Sequence, residues 1–195
     1  MANSQVVAYT TFIASEAFLA DKSLVDKALD YLKKREGALR YISLSSRMFD
    51  VWETYEVIDK TLKSANFLGF MMTFNTLIEA GDCSWQHIDF DEDPFNALGS
   101  PITELSIGRP KEGHPREELY SIVLQLKENS SLYPGVHHPL TWGVVRQTSE
   151  FVLAIGWDSV QAHLNAIQVP PAKPLAAKLS DISDLVVHHI ILYKI

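Results

Sequence analysis

Two rhythms of apolar and polar positions alternate along this chain. Positions 6–13 and 102–107 are short apolar-rich runs that predict strands, and each precedes a helical pattern. Over 23–36, Leu24, Ala28, Tyr31 and Leu32 fall on one face and Lys27, Asp30, Lys33 and Lys34 elsewhere, which predicts an amphipathic helix capped by Ser23. Residues 39–51 should hold two short strands. From 52 to 78 the helical pattern is long, with a break at Gly69, and a fourth strand is expected over 85–90. The second half repeats the order: strand 102–108, helix 116–129, strands near 140–147 and over 150–156, helix 158–167 and strand 185–194. Pro170, Pro171 and Pro174 interrupt the last helical region, so a short loop and another helix through Leu179 are expected.

The repetition decides the architecture before any single element does. The first strands of the two halves lie about 96 positions apart, Gly37 and Gly135 close comparable helices, and Trp52-Glu53-Thr54 echoes Trp157-Asp158-Ser159 about 105 positions on. The growth of the offset implies a shorter central hairpin in the first half. This reads as an α+β chain of two tandem ferredoxin-like β-α-β-β-α-β units, over 1–93 and 102–195, joined by a linker at 94–101.

Trp157 marks the sharpest local signal. The run Phe151-Val152-Leu153-Ala154-Ile155 stops at Gly156-Trp157-Asp158-Ser159, and Val160-Gln161-Ala162-His163 continues in helical register. A strand therefore runs directly into a helix whose N-cap is Asp158 or Ser159, with Trp157 anchoring the junction in the core. The segment resembles the strand-to-helix corner of the dimeric α+β barrel superfamily, which includes the antibiotic biosynthesis monooxygenase-like proteins. There a Gly-Trp-Asp/Glu-Ser corner with a histidine five or six residues later recurs. In that superfamily two four-stranded sheets close face to face into a barrel. The run Leu185-Val186-Val187-His188-His189-Ile190-Ile191-Leu192-Tyr193 lacks alternation, which suggests a sheet covered on both faces. With two halves in one chain the barrel could be intramolecular, and further homodimerisation stays open.

Composition narrows the partners. A hydrophobic fraction of 47% is ordinary for a globular chain with a substantial core, and a net charge of -7 argues against a nucleic-acid backbone as partner. Cys83 is the single cysteine, so no internal disulfide forms. No N-terminal segment has the build of a secretory signal, which makes a reducing cytoplasm the expected location. No apolar stretch approaches the ~20 residues that a membrane-crossing helix needs.

Several chemistries are excluded by motif. There is no glycine-rich dinucleotide or phosphate loop, no Gly-x-Ser-x-Gly elbow and no His-Glu-x-x-His, and Cys83 has no local signature of a nucleophile. His137-His138 and His188-His189 are adjacent pairs, and neighbouring strand residues point to opposite faces, so neither pair readily chelates one metal. No metal and no cofactor are expected. Asp89, Asp91, Glu92 and Asp93 lack the glycine and closing glutamate of a calcium loop and read as a solvated linker. Lys33-Lys34-Arg35 suits the C-terminal end of a helix dipole.

What remains is a set of histidines and carboxylates. His137 and His138 precede the strand bearing Trp142, where they line a pocket rim or form a solvated turn before Pro139. His188 and His189 sit in an apolar strand, one facing the helix layer and the other the barrel interior, where each needs a hydrogen-bond partner. Glu104 interrupts the apolar strand Ile102-Thr103-Glu104-Leu105-Ser106-Ile107; it is either a general base with a raised pKa or a partner of Arg109 or Arg146. His137, His188 and Glu104 are the catalytic candidates. Trp142, His189, Tyr193, Phe70 and Met71 are the candidate substrate contacts, although a Phe and Met stripe at helical spacing is usually core. Trp157, Asp158 and His163 read as structural. Thr54, Tyr55 and Glu56 stand at the matching corner of the first half without a histidine, which points to a degenerate N-terminal pocket.

The resemblance implies a menu: cofactor-free oxygenation of phenols or anthrones, haem degradation, polyketide cyclisation, decarboxylation, isomerisation, or ligand binding alone. The leading expectation is a cofactor-independent enzyme of secondary metabolism, a cyclase, isomerase, lyase or monooxygenase, using a histidine to move a proton on a hydrophobic, aromatic or polyketide-like small molecule. The alternatives are a non-catalytic binding or stress-associated protein, and a dimerisation module whose pockets are filled by Phe70 and Met71.

Overall fold

Two sequence devices, a left-handed glycine and a hydroxyl cap, turn the chain at the same place in each half. The computed structural model describes residues 6–44 and 47–194; the side chains of 39–44, 80–82 and 193–194 lie outside that description. The chain divides into two compact units, 1–89 with 193–195, and 90–192.

The first unit runs β1 (Val6–Ala14), α1 (Glu16–Ala20), α2 (Leu24–Lys33), β2 (Ala38–Leu44), β3 (Arg47–Trp52), α3 (Tyr55–Leu62), α4 (Phe67–Phe74) and β4 (Ile78–Phe90), with a final β9 (Tyr193–Lys194) added beside β2. Its strand order is β4-β1-β3-β2. The second unit holds α5 (Phe95–Leu98), β5 (Ile102–Pro110), α6 (Arg116–Asn129), β6 (Val136–Val145), β7 (Phe151–Trp157), α7 (Val160–Ala166), α8 (Ala172–Ile182) and β8 (Ser183–Ile190), in the order β8-β5-β7-β6. Both are the antiparallel four-strand order of a ferredoxin-like unit, in which the first and third strands pair at the centre. Val6 stands opposite Trp52, and Ile102 opposite Trp157, so the pairs are in the same register.

The corners repeat atom for atom. Gly37 and Gly135 have φ of 77° and 78°. Their carbonyls accept the amides of Glu53 and Asp158, each at 2.8 Å. A Cβ on either would stand 2.7 Å from a Val57 methyl or 2.9 Å from the Ala162 Cβ. Glycine is therefore required twice over, for conformation and for space. Thr54 then caps α3 through the Val57 amide, and Ser159, rather than Asp158, caps α7 through the Ala162 amide at 3.1 Å.

One face of each helix layer seals its own sheet. In α2, Val25, Ala28, Leu29 and Leu32 are buried at helical spacing against Val6, Ala8, Phe12, Met48 and Trp52. In α6, Leu119, Ile122, Val123 and Leu126 do the same against Leu140, Leu153 and Trp157.

Some boundaries differ from those expected. The long helical pattern of 52–78 is two helices, broken at Ser64-Ala65-Asn66, where polar side chains favour a turn, and exposed Gly69 lies inside α4. β4 begins at Ile78, well before 85, and β6 at Val136, so that His137 and His138 belong to the strand. Ser23 makes no cap bond; its hydroxyl donates to Asp21 instead. The last strand divides into β8 and β9, because Tyr193 pairs with β2 of the first unit. Nor is β8 covered on both faces: it is an edge strand of its sheet, with Val186 59% and Val187 47% exposed. Among the described residues no helix is long and apolar enough to cross a membrane.

Candidate active site

Small side chains on α8 leave a hollow in the second unit. Ala172, Ala176 and Ser180 recur along one face and, with Leu179, look onto Leu153, Ile155 and Trp157 of β7. Between them lies a cavity of about 240 Å³. The corresponding layer of the first unit is filled by rings: Phe70 and Phe74 stack at 5.6 Å, and Phe74 meets Trp85 at 5.2 Å.

The polar part of the wall is a connected cluster. Glu104 and Ser106 alternate on β5 and so share a face. The Trp157 indole N–H donates to Glu104 Oε2 at 2.9 Å, and the Ser106 hydroxyl donates to Oε1 at 3.0 Å. His163, on the first turn of α7, stacks its ring on that of Trp157 at 5.1 Å and 24°. Its Nε2 lies 3.4 Å from Glu104 Oε2, and its Nδ1 stands 2.6 Å from His189 Nε2. The corner places His163 there: the Ser159 cap starts the helix so that its fourth residue leans back over the indole. His189 arrives from β8, directly opposite Glu104 in register. Glu104 is 5% and His163 7% exposed, whereas His189 is half-buried. Burial holds the His163 imidazole below the ordinary histidine value, with Glu104 pulling the other way and His189 adding to the depression.

The sequence candidates are thus partly gathered and partly scattered. Glu104, His163 and Trp157 line the cavity, and His189 joins them from behind through His163. Glu104 does not pair with Arg109, which binds Glu150 at 2.8 Å. His137 stands outside the cavity wall, with its Nε2 2.8 Å from Asp158 Oδ1 in a solvent-accessible pair at the corner. His188 has the opposite parity to His189 on β8, pairs with Leu105, and so lies on the other face of the sheet. Trp142 stacks on Phe151 at 5.8 Å and meets Tyr120 at 4.9 Å with the rings tilted, and is not one of the residues that line the cavity. Phe70 and Met71 belong to the core of the first unit. Tyr193 is in β9, its side chain outside the described residues.

The first unit carries a counterpart that pattern reading passed over. Trp52 donates its indole N–H to Asp50 Oδ2 at 2.6 Å. Asp50 faces Ala8 and, beyond it, His87; the equivalent row in the second unit is Ile155, Glu104, His189. The carboxylate has moved one strand over, while indole and strand histidine keep their places. Ile58 occupies the position of His163. Burial pushes the Asp50 carboxyl up to about 7, against the pull of the Trp52 bond. Asp50 breaks an apolar strand just as Glu104 does, a signal that could have found it. Tyr133 on the cavity wall had no such signal, because it lies in an irregular turn before β6.

No family model matches the sequence, and no curated protein matches it. Solved structures do. A candidate monooxygenase from Fusobacterium nucleatum superposes with a TM-score of 0.70 at 12% identity, covering 100% of this chain and 94% of the other. A candidate monooxygenase from Lactobacillus acidophilus gives 0.64 at 11% identity over 97% and 94%. An anthrone oxidase-like protein gives 0.62 at 12% over 98% and 91%. These are dimeric α+β barrel proteins, and the chain has their fold as two tandem ferredoxin-like units.

Proposed function

We propose that this chain, built on the dimeric α+β barrel fold, is a cofactor-independent enzyme that moves a proton on a hydrophobic, aromatic or polyketide-like small molecule held in the second unit. The observation that carries the reading is the apolar cavity into which the Glu104–Trp157–His163–His189 cluster opens. A carboxylate on such a wall is placed to take a proton from a carbon acid or phenol. Trp157 and Ser106 fix its orientation. His163 and His189 link it to the half-buried strand edge, a path by which the proton is exchanged with water. The names borne by the structures of like fold, monooxygenase and anthrone oxidase-like, support an enzyme of this kind; isomerisation and cyclisation of enolisable substrates and oxygenation of phenols begin with such a proton transfer, and decarboxylation ends with one. A cytoplasmic location accords with the single cysteine.

A second reading, a non-catalytic binder of an apolar ligand, is favoured by one fact: both Glu104 oxygens already accept hydrogen bonds. The test is turnover of a panel of phenols and enolisable ketones by the wild type and Glu104→Gln. Conversion that falls in the variant supports the enzyme. Binding without conversion in either protein leaves the binder, and no binding at all removes both.

A further inference from the structure

β8 is the outermost strand of the second unit: among the described residues its strand partner is β5, and its other side is unpaired. It is eight residues long, and its register with β5 runs from Ser183 opposite Pro110 to Ile190 opposite Thr103 without a bulge. The strand reads Ser183-Asp184-Leu185-Val186-Val187-His188-His189-Ile190, with no lysine and no proline. A regular apolar edge of this kind offers a row of backbone donors and acceptors to another strand, and proteins that keep such an edge open guard it with lysine, proline, a bulge or brevity. β8 has none of these guards. Val186 is 59% and Val187 47% exposed, on opposite faces, so apolar surface lies open on both sides of the strand.

We infer that β8 pairs antiparallel with β8 of a second copy of this chain, about a two-fold axis at Val186. Such an axis stands perpendicular to the sheet and passes between two copies of one residue. The strand is self-complementary about Val186. Two places to either side of it stand Asp184 and His188, which share its face. Pairing centred there sets Val186 against its own counterpart and each Asp184 against the His188 of the other copy, an acid opposite an imidazole twice over. Centred on Val187 instead, each Asp184 would meet Ile190 and each His188 would meet Val186. On its β5 side Asp184 stands opposite Arg109, which is bound by Glu150. In the pairing about Val186, Leu185 of each copy lies opposite Val187 of the other. Both residues line the cavity of their own unit, and half-exposed Val187 is where that wall reaches solvent. The second copy thus adds an apolar side chain to the open rim of the cavity, so pairing completes the site as well as the sheet.

The experiment is sedimentation velocity of the full chain at concentrations between about 1 and 200 µM, a range suited to the weak, reversible dimer that one strand pair makes. The mass should rise from that of the monomer to twice that value. Val186→Lys, at an exposed position outside the cavity wall, sets like charges against each other on the axis and should weaken association about tenfold or more. A monomer throughout the range, or a variant that associates as well as the wild type, overturns the inference. Oxidative cross-linking reads the register, with Cys83→Ser in each protein. Val186→Cys should close a disulfide between copies, because directly opposed Cα atoms stand about 4.5–5.5 Å apart. Asp184→Cys lies roughly 13 Å out of register with its own counterpart and should not. Equal cross-linking of the two, or none with Val186→Cys, overturns the pairing.

Discussion

Asp50 lies two residues before Trp52 on the same strand, and its carboxyl, 3% exposed, accepts the Trp52 indole proton at 2.6 Å through Oδ2. Its other oxygen has no hydrogen-bond partner among the described residues. The folded protein therefore favours the neutral acid, with a pKa near 7 against 3.8 in the unfolded chain. Below the lower value both states are protonated and nothing is lost. As pH rises from about 4 to about 7, the unfolded chain ionises first and stability falls, by something on the order of 4 kcal/mol in all. Asp50→Asn should flatten that slope and leave the variant more stable than the wild type at pH 8. Urea denaturation at intervals across this window checks it.

His163 titrates in the opposite sense. Its folded pKa lies below 6.5, so its stabilising contribution is complete above that value and is lost as pH falls through the window beneath it. Followed by NMR, the imidazole of the wild type should titrate below 6.5. Glu104→Gln should lower it further and His189→Ala should raise it, since the two neighbours act with opposite sign.

Glu104→Gln keeps the size of the side chain and one accepting oxygen for the Trp157 indole, exchanges the other for an NH2 group to which the Ser106 hydroxyl can turn its lone pair, and removes the base. If the proposed chemistry holds, kcat/KM falls by about 10²–10⁴ while Tm changes little. A stopped reaction with an intact fold separates this outcome from simple unfolding.

Ala176 is on the cavity wall, so Ala176→Phe should refill the second unit as Phe70 and Phe74 fill the first. Binding of 1-indanone, an enolisable ketone, should weaken about a hundredfold or more with no large fall in Tm, because the ring enters existing space. Retained binding would place the ligand elsewhere.

Gly135→Ala should cost about 1–3 kcal/mol, from a positive φ together with the contact on Ala162. Ala162→Gly in the same chain relieves the contact and leaves the backbone strain, so a double-mutant cycle by denaturant unfolding should show partial recovery.

Much of this was legible in the chain. The repeated corner, with its glycine, tryptophan and hydroxyl cap, fixed two ferredoxin-like units, and a carboxylate inside an apolar strand marked Glu104 as unusual. Parity on β8 guaranteed that His188 and His189 would face apart, yet which one met the helices depended on pairing with β5. His163 read as structural from its place at the corner after Trp157, and its contact with Glu104 depends on the pairing of β5 with β7, which one segment alone does not show. The hollow was invisible for a different reason: it is made by what Ala172 and Ala176 lack, and alanine in a helix is the commonest choice there is. Tyr133 lies in a turn whose side-chain direction has no period.

The carboxylate's change of strand has a bearing on how such chains are compared. Aligning the halves residue by residue sets Glu104 against Ala8 and Asp50 against Ile155, and scores both columns as unrelated. Yet each acid lies under the same indole, in the same row as the same strand histidine. The location is the same while its occupant stands on a different strand, so transfer of function between the halves has to be made in space and not by column.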